Sequence, residues 1–328
     1  MTEESHPFDI LTPDAIIDAI EQAGYPCDAR LLALNSYENR VYQVGIEDAD
    51  PLIVKFYRKG RWTREQVLEE HAFAAELVDA ELPIVAPLAT ETGETLHQYE
   101  GLDYALFPRR GGHAPEFDNF DNLLVLGRTL GRIHAVGASR SFAHRPPLNA
   151  QAVFDECRDL LPEHFLPLDL KTAYVTLLDD LEKEVMPRFE EIEAGDLLRI
   201  HGDCHGGNIL WRDDVANFVD LDDCMSAPAI QDLWMFLSGE RHEQELQLAE
   251  VIAGYEEFFD FSGRELRWVE TLRTLRIVRY AGWLAKRWDD PAFPKAFPWF
   301  NSPRYWSDHI LELREQFSRI QEPPLRLL

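Results

Sequence analysis

Two short runs hold the residues best suited to do chemistry: residues 201–210, H-G-D-C-H-G-G-N-I-L, and residues 218–223, F-V-D-L-D-D. Asp203 and Asn208 stand five apart, and Asp220 follows twelve further on. Phosphoryl transfer needs these residue types: one carboxylate to orient an acceptor hydroxyl and take its proton, and a second carboxylate with a carboxamide to hold magnesium against the phosphate oxygens. Magnesium is hard and prefers oxygen ligands, so Asn208 and Asp220 suit it where thiolates would not. His201, Asp203 and His205 also alternate as metal ligands do. No H-E-x-x-H and no second His/Asp cluster accompanies them, which argues against a zinc hydrolase.

These residues need rigid supports, and the flanking runs supply them. The apolar stretch 197–200 leads into the loop, 209–211 leads out, and 218–219 delivers Asp220. Upstream, Thr12 and Pro13 signal the start of a helix whose stripe is Ile16, Ile17 and Ile20. Three strands are expected at 31–34, 41–45 and 52–57, joined by turn-forming residues at 35–39 and 47–51. Thr63 and Gln66 have the spacing of a capping box, opening a helix with Val67, Phe73, Ala74 and Leu77 inward. A last strand at 101–108 runs into a connector at 109–112. Beyond it, helices are expected near 123–135, 170–189, 230–237, 246–259 and 266–288. Residues 288–306 are dense in aromatics and prolines, and such a stretch is expected to pack against a lobe or a cleft. Lys55 lies inside the apolar run I-V-K-F-Y, where a lysine is costly unless paired. Snorkelling on an edge strand is the alternative.

The spacing resembles the protein-kinase catalytic loop, in which His-Arg-Asp is followed by four residues, an Asn, and later a metal-binding Asp before Phe-Gly. Here Gly202 replaces the arginine and V-D-L-D-D replaces D-F-G. With those departures the chain resembles the aminoglycoside phosphotransferase and choline kinase family, whose hallmark is H-G-D-x-H-x-x-N followed by a hydrophobic-flanked Asp. The resemblance implies an α+β, bilobal protein-kinase-like fold of the aminoglycoside phosphotransferase type. Residues 1–107 would form a small β-rich nucleotide-binding lobe. Residues 108–328 would form a larger helical lobe with the catalytic and substrate residues, and magnesium-ATP would bind between them.

The same resemblance implies roles. Asp203 is the catalytic base, Asn208 and Asp220 hold Mg2+, and His201 and His205 shape the loop. Lys55 holds the α- and β-phosphates, partnered by Glu70 or, failing that, Glu69. The phosphate-covering loop falls on residues 35–40, N-S-Y-E-N-R, which contain no glycine. Backbone N–H groups of a tight turn can still cradle phosphate, with Ser36 adding a hydroxyl; an ordinary hairpin turn is the alternative. No G-x-x-x-x-G-K-[ST] occurs, so a P-loop NTPase is excluded. Residues 105–108, with Phe107, would present backbone groups to adenine. Asp232, in Q-D-L-W-M, matches a helix-borne Asp that braces the catalytic loop, against the alternative of a helix N-terminal charge.

Longer segments, including N-S-Y-E-N-R-V-Y-Q, H-G-D-C-H-x-G-N-I-L-W-R-D and D-P-A-F-P-K-x-F-P-W, are similar to bacterial serine/threonine protein kinases on this family's fold. That similarity implies protein substrates with Ser/Thr acceptors, in a stress response that counteracts stress-induced cell death. The alternative is a small-molecule kinase acting on an aminoglycoside, choline or a homoserine-like alcohol. A nucleotide-binding regulator without transfer is a further alternative, opposed by the joint presence of Lys55, Asp203, Asn208 and Asp220.

Composition bounds the rest. The 328 residues carry 32 basic and 59 acidic side chains, a net charge of −27, which opposes binding to nucleic acid or anionic lipid. The acidic surface favours basic peptide stretches as acceptors. No apolar run approaches the roughly 20 residues of a membrane span. The acidic residues 1–9 lack the order of a signal peptide. A cytoplasmic monomer is expected. Cys27, Cys157, Cys204 and Cys224 form no C-x-x-C pair and read as reduced thiols. The carboxylates near Cys204 and Cys224 should dull any role as redox sensors.

Overall fold

The computed structural model describes residues 6–328; residues 1–5 of the acidic N-terminal segment lie outside them. Helix α1 (Pro13–Gln22) opens as its sequence dictates, with the Thr12 hydroxyl accepting from the Ala15 N–H at 3.2 Å and proline in the first turn. Ile16 and Ile20 are buried with Ala19, while Ile17 is only half-buried. Strands β1 (Cys27–Ala33), β2 (Arg40–Ile46) and β3 (Ala49–Phe56) follow, then α2 (Arg64–Asp79), β4 (His97–Tyr99) and β5 (Leu102–Pro108). The five strands make one antiparallel sheet in the order β1-β2-β3-β5-β4. Strand β4 was not expected: three residues are too few to display an alternating pattern. Helix α2 begins at the expected capping box, Thr63 and Gln66 exchanging hydrogen bonds at 2.9 and 3.3 Å.

The remainder is mostly helical: α3 (Phe120–Gly137), α4 (Ala150–His164) and α5 (Lys171–Phe189), then the short strands β6 (Leu198–Ile200), β7 (Ile209–Arg212), β8 (Val215–Phe218) and β9 (Met225–Ala227). Helices α6 (Ile230–Leu233), α7 (Arg241–Tyr255), α8 (Val269–Lys286), α9 (Ala292–Ala296) and α10 (Pro303–Arg319) complete it. Strand β7 pairs with β8, and β6 with β9. Helix α6 is a single turn continued by the 3-10 turn Trp234–Phe236, shorter than the expected 230–237. Helices α4 and α10 were not expected. Acidic and basic side chains dilute the stripe of α4, and prolines precede α10 in the aromatic stretch. That stretch packs as expected: Phe293, Phe300 and Trp306 are fully buried with Leu275, Val278 and Leu284.

The sheet has its own core, with Ile16, Val44, Val54, Phe56 and Leu106, backed by α1. On that basis we propose the division into residues 1–107 and 108–328. Helix α2 nonetheless faces the other way, with Phe73 and Leu77 in the core shared by α3 and β8.

Glu265, in the 3-10 turn Gly263–Trp268, holds the start of α6 by accepting from the Ile230 N–H at 2.9 Å. Burial pushes its carboxyl up to about 7. Its folded-state pKa is therefore raised, so the stability it contributes is complete below the ordinary carboxylate range and drains away as pH rises through 7. Glu265→Gln keeps the acceptor oxygen without the buried charge. It is expected to raise Tm at pH 8 and leave Tm near wild type at pH 5; equal shifts at both pH values would refute this assignment.

Candidate active site

The loop between β6 and β7 is built around Asp232 at the start of the helical segment. Its carboxylate accepts from the N–H groups of His201 and Gly202, both at 2.8 Å, and lies 3.1 Å from His134 Nε2. All three groups are buried, so these bonds are shielded from competition by water. The bracing function expected of Asp232 is thus visible as geometry. His201 Nε2 donates to the Val219 carbonyl at 2.9 Å, and its Nδ1 accepts from the Asp203 N–H at 3.4 Å. Both ring nitrogens are committed to backbone, which leaves none for the zinc arrangement. Among the described residues no group of three or more His, Cys, Asp or Glu side chains could hold a metal.

Asn208 ties the loop to itself and to the next hairpin. Its side-chain amide nitrogen donates to the Asp203 backbone carbonyl at 2.9 Å, and its backbone carbonyl accepts from the Val219 N–H at 3.0 Å. The β7–β8 hairpin therefore delivers Asp220 at a fixed distance from the loop. Asp220 adopts a left-handed conformation, φ 60° and ψ 64°, uncommon for a residue with a side chain, and that side chain is half exposed. Asp220 and Asn208 offer hard oxygen donors on one wall of a cavity of about 910 Å3, and Lys55, Asp203 and Phe107 line the same cavity.

Lys55 reaches the same cavity from the sheet. Its strand β3 is the third of five, with Val41 and Ala105 as neighbours in register, so an edge position is ruled out. The ammonium is 2.7 Å from Asp220 Oδ1 and 3.2 Å from Asp222 Oδ1. Burial alone would push it down, but Asp220 and Asp222 hold it well above the usual lysine range. The expected ion pair with Glu70 does not form, although its charge adds to the field that raises Lys55. Glu70 binds Arg145 at 2.7 Å, and burial pushes its carboxyl up to about 7. Glu69 is no substitute, because it accepts from the backbone N–H groups of Ala143, His144 and Arg145 at 2.5–2.8 Å. The reason is competition: Asp220 and Asp222 reach the ammonium from across the cleft, and Arg145, from a loop with no chemical pattern, claims Glu70.

The turn at residues 35–39 also lines the cavity, but Ser36 spends its hydroxyl on the Asn39 carbonyl at 3.2 Å. Phe107 is half-buried beside the cavity, and the Leu106 carbonyl already accepts from the Leu88 N–H at 2.7 Å. The glycine-free turn is held from the C-terminal side. Tyr37 packs edge-on against Phe297, ring centres 4.7 Å apart. Glu38 accepts from Trp283 Nε1 at 2.6 Å and Arg287 Nε at 2.9 Å. Asp290, almost fully buried, binds Arg40 at 2.8 Å and Arg58 at 2.6 Å. The aromatic stretch thus ties the turn to α8 and α9. Asp290→Asn leaves Arg40 without its counter-charge and Arg58 with Glu38 alone. It is expected to cost roughly 3 kcal/mol of stability and to raise the KM for ATP more than it lowers kcat. An unchanged KM with a reduced kcat would count against this tie.

Sequence reasoning missed the arginines. Asp222, which is buried, and Asp223, which is half-buried, meet them: Arg61 binds both, and Arg279 binds Asp223 at 3.0 Å. Arg276 binds Asp203 Oδ1, and His205 Nε2 lies 3.5 Å from Asp203 Oδ2. Burial would raise the Asp203 carboxyl, but the hydrogen bond to His205 and the charge of Arg276 hold it down to about 2. Arg273, Arg276 and Arg279 recur every third residue in R-T-L-R-I-V-R, a stripe legible in the sequence had α8 been read for charge. Cys204 and Cys224 are buried and burial pushes both thiols up, which makes them poor thiolates, and all four cysteines are free.

Residues 30–269 match the model of the phosphotransferase enzyme family, APH. The chain belongs to that family. Stress response kinase A of Escherichia coli (strain K12) is 46% identical over 328 residues, covering 100% of this chain and 99% of that protein. Serine/threonine protein kinase RdoA of Salmonella typhimurium is 45% identical with the same coverage. Among solved structures, amicoumacin kinase hAmiN in complex with AMP-PNP, Ca2+ and Ami superposes with a TM-score of 0.73 at 17% identity, covering 93% of each chain. This phosphotransferase has the bilobal, protein-kinase-like fold, with the β-sheet in its N-terminal region and helices in its C-terminal part.

Proposed function

We propose that this phosphotransferase transfers the γ-phosphoryl group of ATP to serine or threonine hydroxyls of proteins, in a bacterial stress response that opposes cell death. The observation that carries the reading is the meeting of Lys55, Asp203, Asn208 and Asp220 on one cavity large enough for a nucleotide. The names and full-length similarity of the relatives support protein acceptors and the stress context.

Lys55 is suited to grip the α- and β-phosphates from the sheet, and the turn at 35–39, with Ser36, to cover them. Residues 105–108, with Phe107, would offer backbone to adenine. The oxygen donors of Asn208 and Asp220 fit a hard divalent cation shared with phosphate rather than a full protein cage. Bound there, Mg2+ would neutralise charge on the phosphate oxygens. Glu70 makes its contact with Arg145, whose guanidinium also donates to the Asp222 carbonyl at 2.6 Å, and acts on Lys55 by charge alone. Asp203 orients the acceptor hydroxyl. As the acceptor oxygen bonds to the γ-phosphorus, the bond to the β,γ-bridging oxygen breaks, ADP leaves, and the hydroxyl proton passes to Asp203.

Among the described residues no helix is long and apolar enough to cross a membrane; a cytoplasmic, monomeric enzyme is part of this proposal. The test is γ-labelled ATP offered with a generic protein and with a panel of amino alcohols. Label on protein Ser/Thr, absent for Asp203→Asn, is the expected result. Label confined to an amino alcohol would replace the protein reading with the small-molecule one.

A further inference from the structure

One wall of the cavity, formed by α8 and α10, carries charges that gripping ATP does not use. Arg276 is bound to one oxygen of Asp203 and Arg279 to Asp223. Their side chains remain 42% and 46% exposed, so packing locks neither in place. Tyr280, Trp283, Tyr305, His309 and the acidic Glu312 complete the wall. His309 is 3% exposed, its Nδ1 faces Glu312 at 3.4 Å, and its buried Nε2 has no hydrogen-bond partner. A buried polar atom without a partner is rare in a finished interior, and beside a cavity it marks a place for a ligand group or water.

Asp203 must offer a carboxylate oxygen to the acceptor hydroxyl, yet a guanidinium already occupies Oδ1. Guanidinium–carboxylate bonds are among the stronger hydrogen bonds, and arginine cannot discard its charge. An acceptor therefore has to share or displace Arg276, and the displaced guanidinium needs another anion. We infer that Arg276, with Arg279 beside it, sets acceptor specificity: it selects hydroxyls that carry a neighbouring carboxylate. In a protein this means Ser or Thr flanked by acidic residues. The incoming carboxylate takes over the guanidinium, and the freed Asp203 oxygen receives the hydroxyl proton during transfer. This inference rests on the phosphotransferase reading above. It also runs against the bulk charge of −27, which would favour cationic acceptors. That field is screened beyond about 8 Å at physiological ionic strength, whereas Arg276 acts at contact.

The experiment uses the full chain with magnesium-ATP and two matched pairs of acceptors. One pair is a serine peptide flanked by glutamates and the same peptide flanked by arginines. The other is glycerate and ethanolamine. Within whichever pair is phosphorylated, kcat/KM is expected to be at least about tenfold higher for the anionic member. Arg276→Gln should raise KM for the anionic acceptor while the affinity for an ATP analogue holds, and Arg276→Glu should invert the preference. Transfer confined to the small molecules would remove the protein reading and still score the anion preference. Equal efficiency within the pair, a cationic preference, an unmoved preference in Arg276→Glu, or no transfer to any anionic member would overturn the inference.

Discussion

Asp203→Asn is expected to lower kcat about 10^3-fold, with Tm and nucleotide affinity close to wild type. The substitution keeps the size of the side chain and removes only the charge that aligns the acceptor and takes its proton. The low pKa of Asp203, held there by His205 and Arg276, makes it a weak base while Arg276 stays bound. Phosphoryl transfer through a loose transition state asks for positioning first and proton acceptance late, so such a base suffices. Moving Arg276 onto an acceptor carboxylate would also raise the basicity of Asp203 at the moment it is needed. Single-turnover rates with labelled ATP, set beside thermal melts and nucleotide titrations, check the prediction. A variant retaining more than a tenth of wild-type turnover would remove Asp203 from its assigned role.

Gly202→Ala is expected to cost roughly 2–4 kcal/mol of stability and about 10^2-fold in kcat. Gly202 sits at φ +85°, and an added Cβ would stand 2.2 Å from the Asp223 carbonyl oxygen and 3.0 Å from its carbon. Both neighbours are backbone, so no flexible side chain can yield. The strain falls on the peptide between His201 and Asp203 and on the segment that follows Asp220, the two halves of the site. Relief by moving either one misplaces the base relative to the phosphate. A thermal melt and steady-state kinetics on the same sample test both parts; an alanine variant with unchanged Tm and kcat would show that this close approach is not required.

The same contact explains a departure visible in the sequence. Gly202 stands where protein kinases have an arginine, because a left-handed residue packed on the Asp223 carbonyl leaves no room for a side chain. The motif itself needed no structure to be read: Asp203, Asn208 and Asp220 are close in sequence, and one loop and one hairpin bring them together. Thr12, Thr63 and Gln66 were equally legible, since caps are written within four residues. Lys55 was legible as a buried charge, although its partners were not. Asp220 and Asp222 lie more than 160 residues away from it, and although V-D-L-D-D marks Asp220 as a metal ligand, nothing local assigns either carboxylate to Lys55.

What the sequence determined by itself is therefore local: the loop chemistry, the capped helix starts, the order of β-rich then helical segments, and the aromatic stretch that had to be buried. Tertiary structure alone decided which charges meet. It gave Lys55 to Asp220 and Asp222, Glu70 to Arg145, Asp203 to Arg276, and the turn at 35–39 to Asp290, Trp283 and Arg287 by way of Arg58 and Glu38. The physical reason is that hydrophobic periodicity and capping act over a few residues, whereas an ion pair depends on distance in space. With 59 acidic and 32 basic side chains, many pairings are possible on paper, and only the packed chain selects among them.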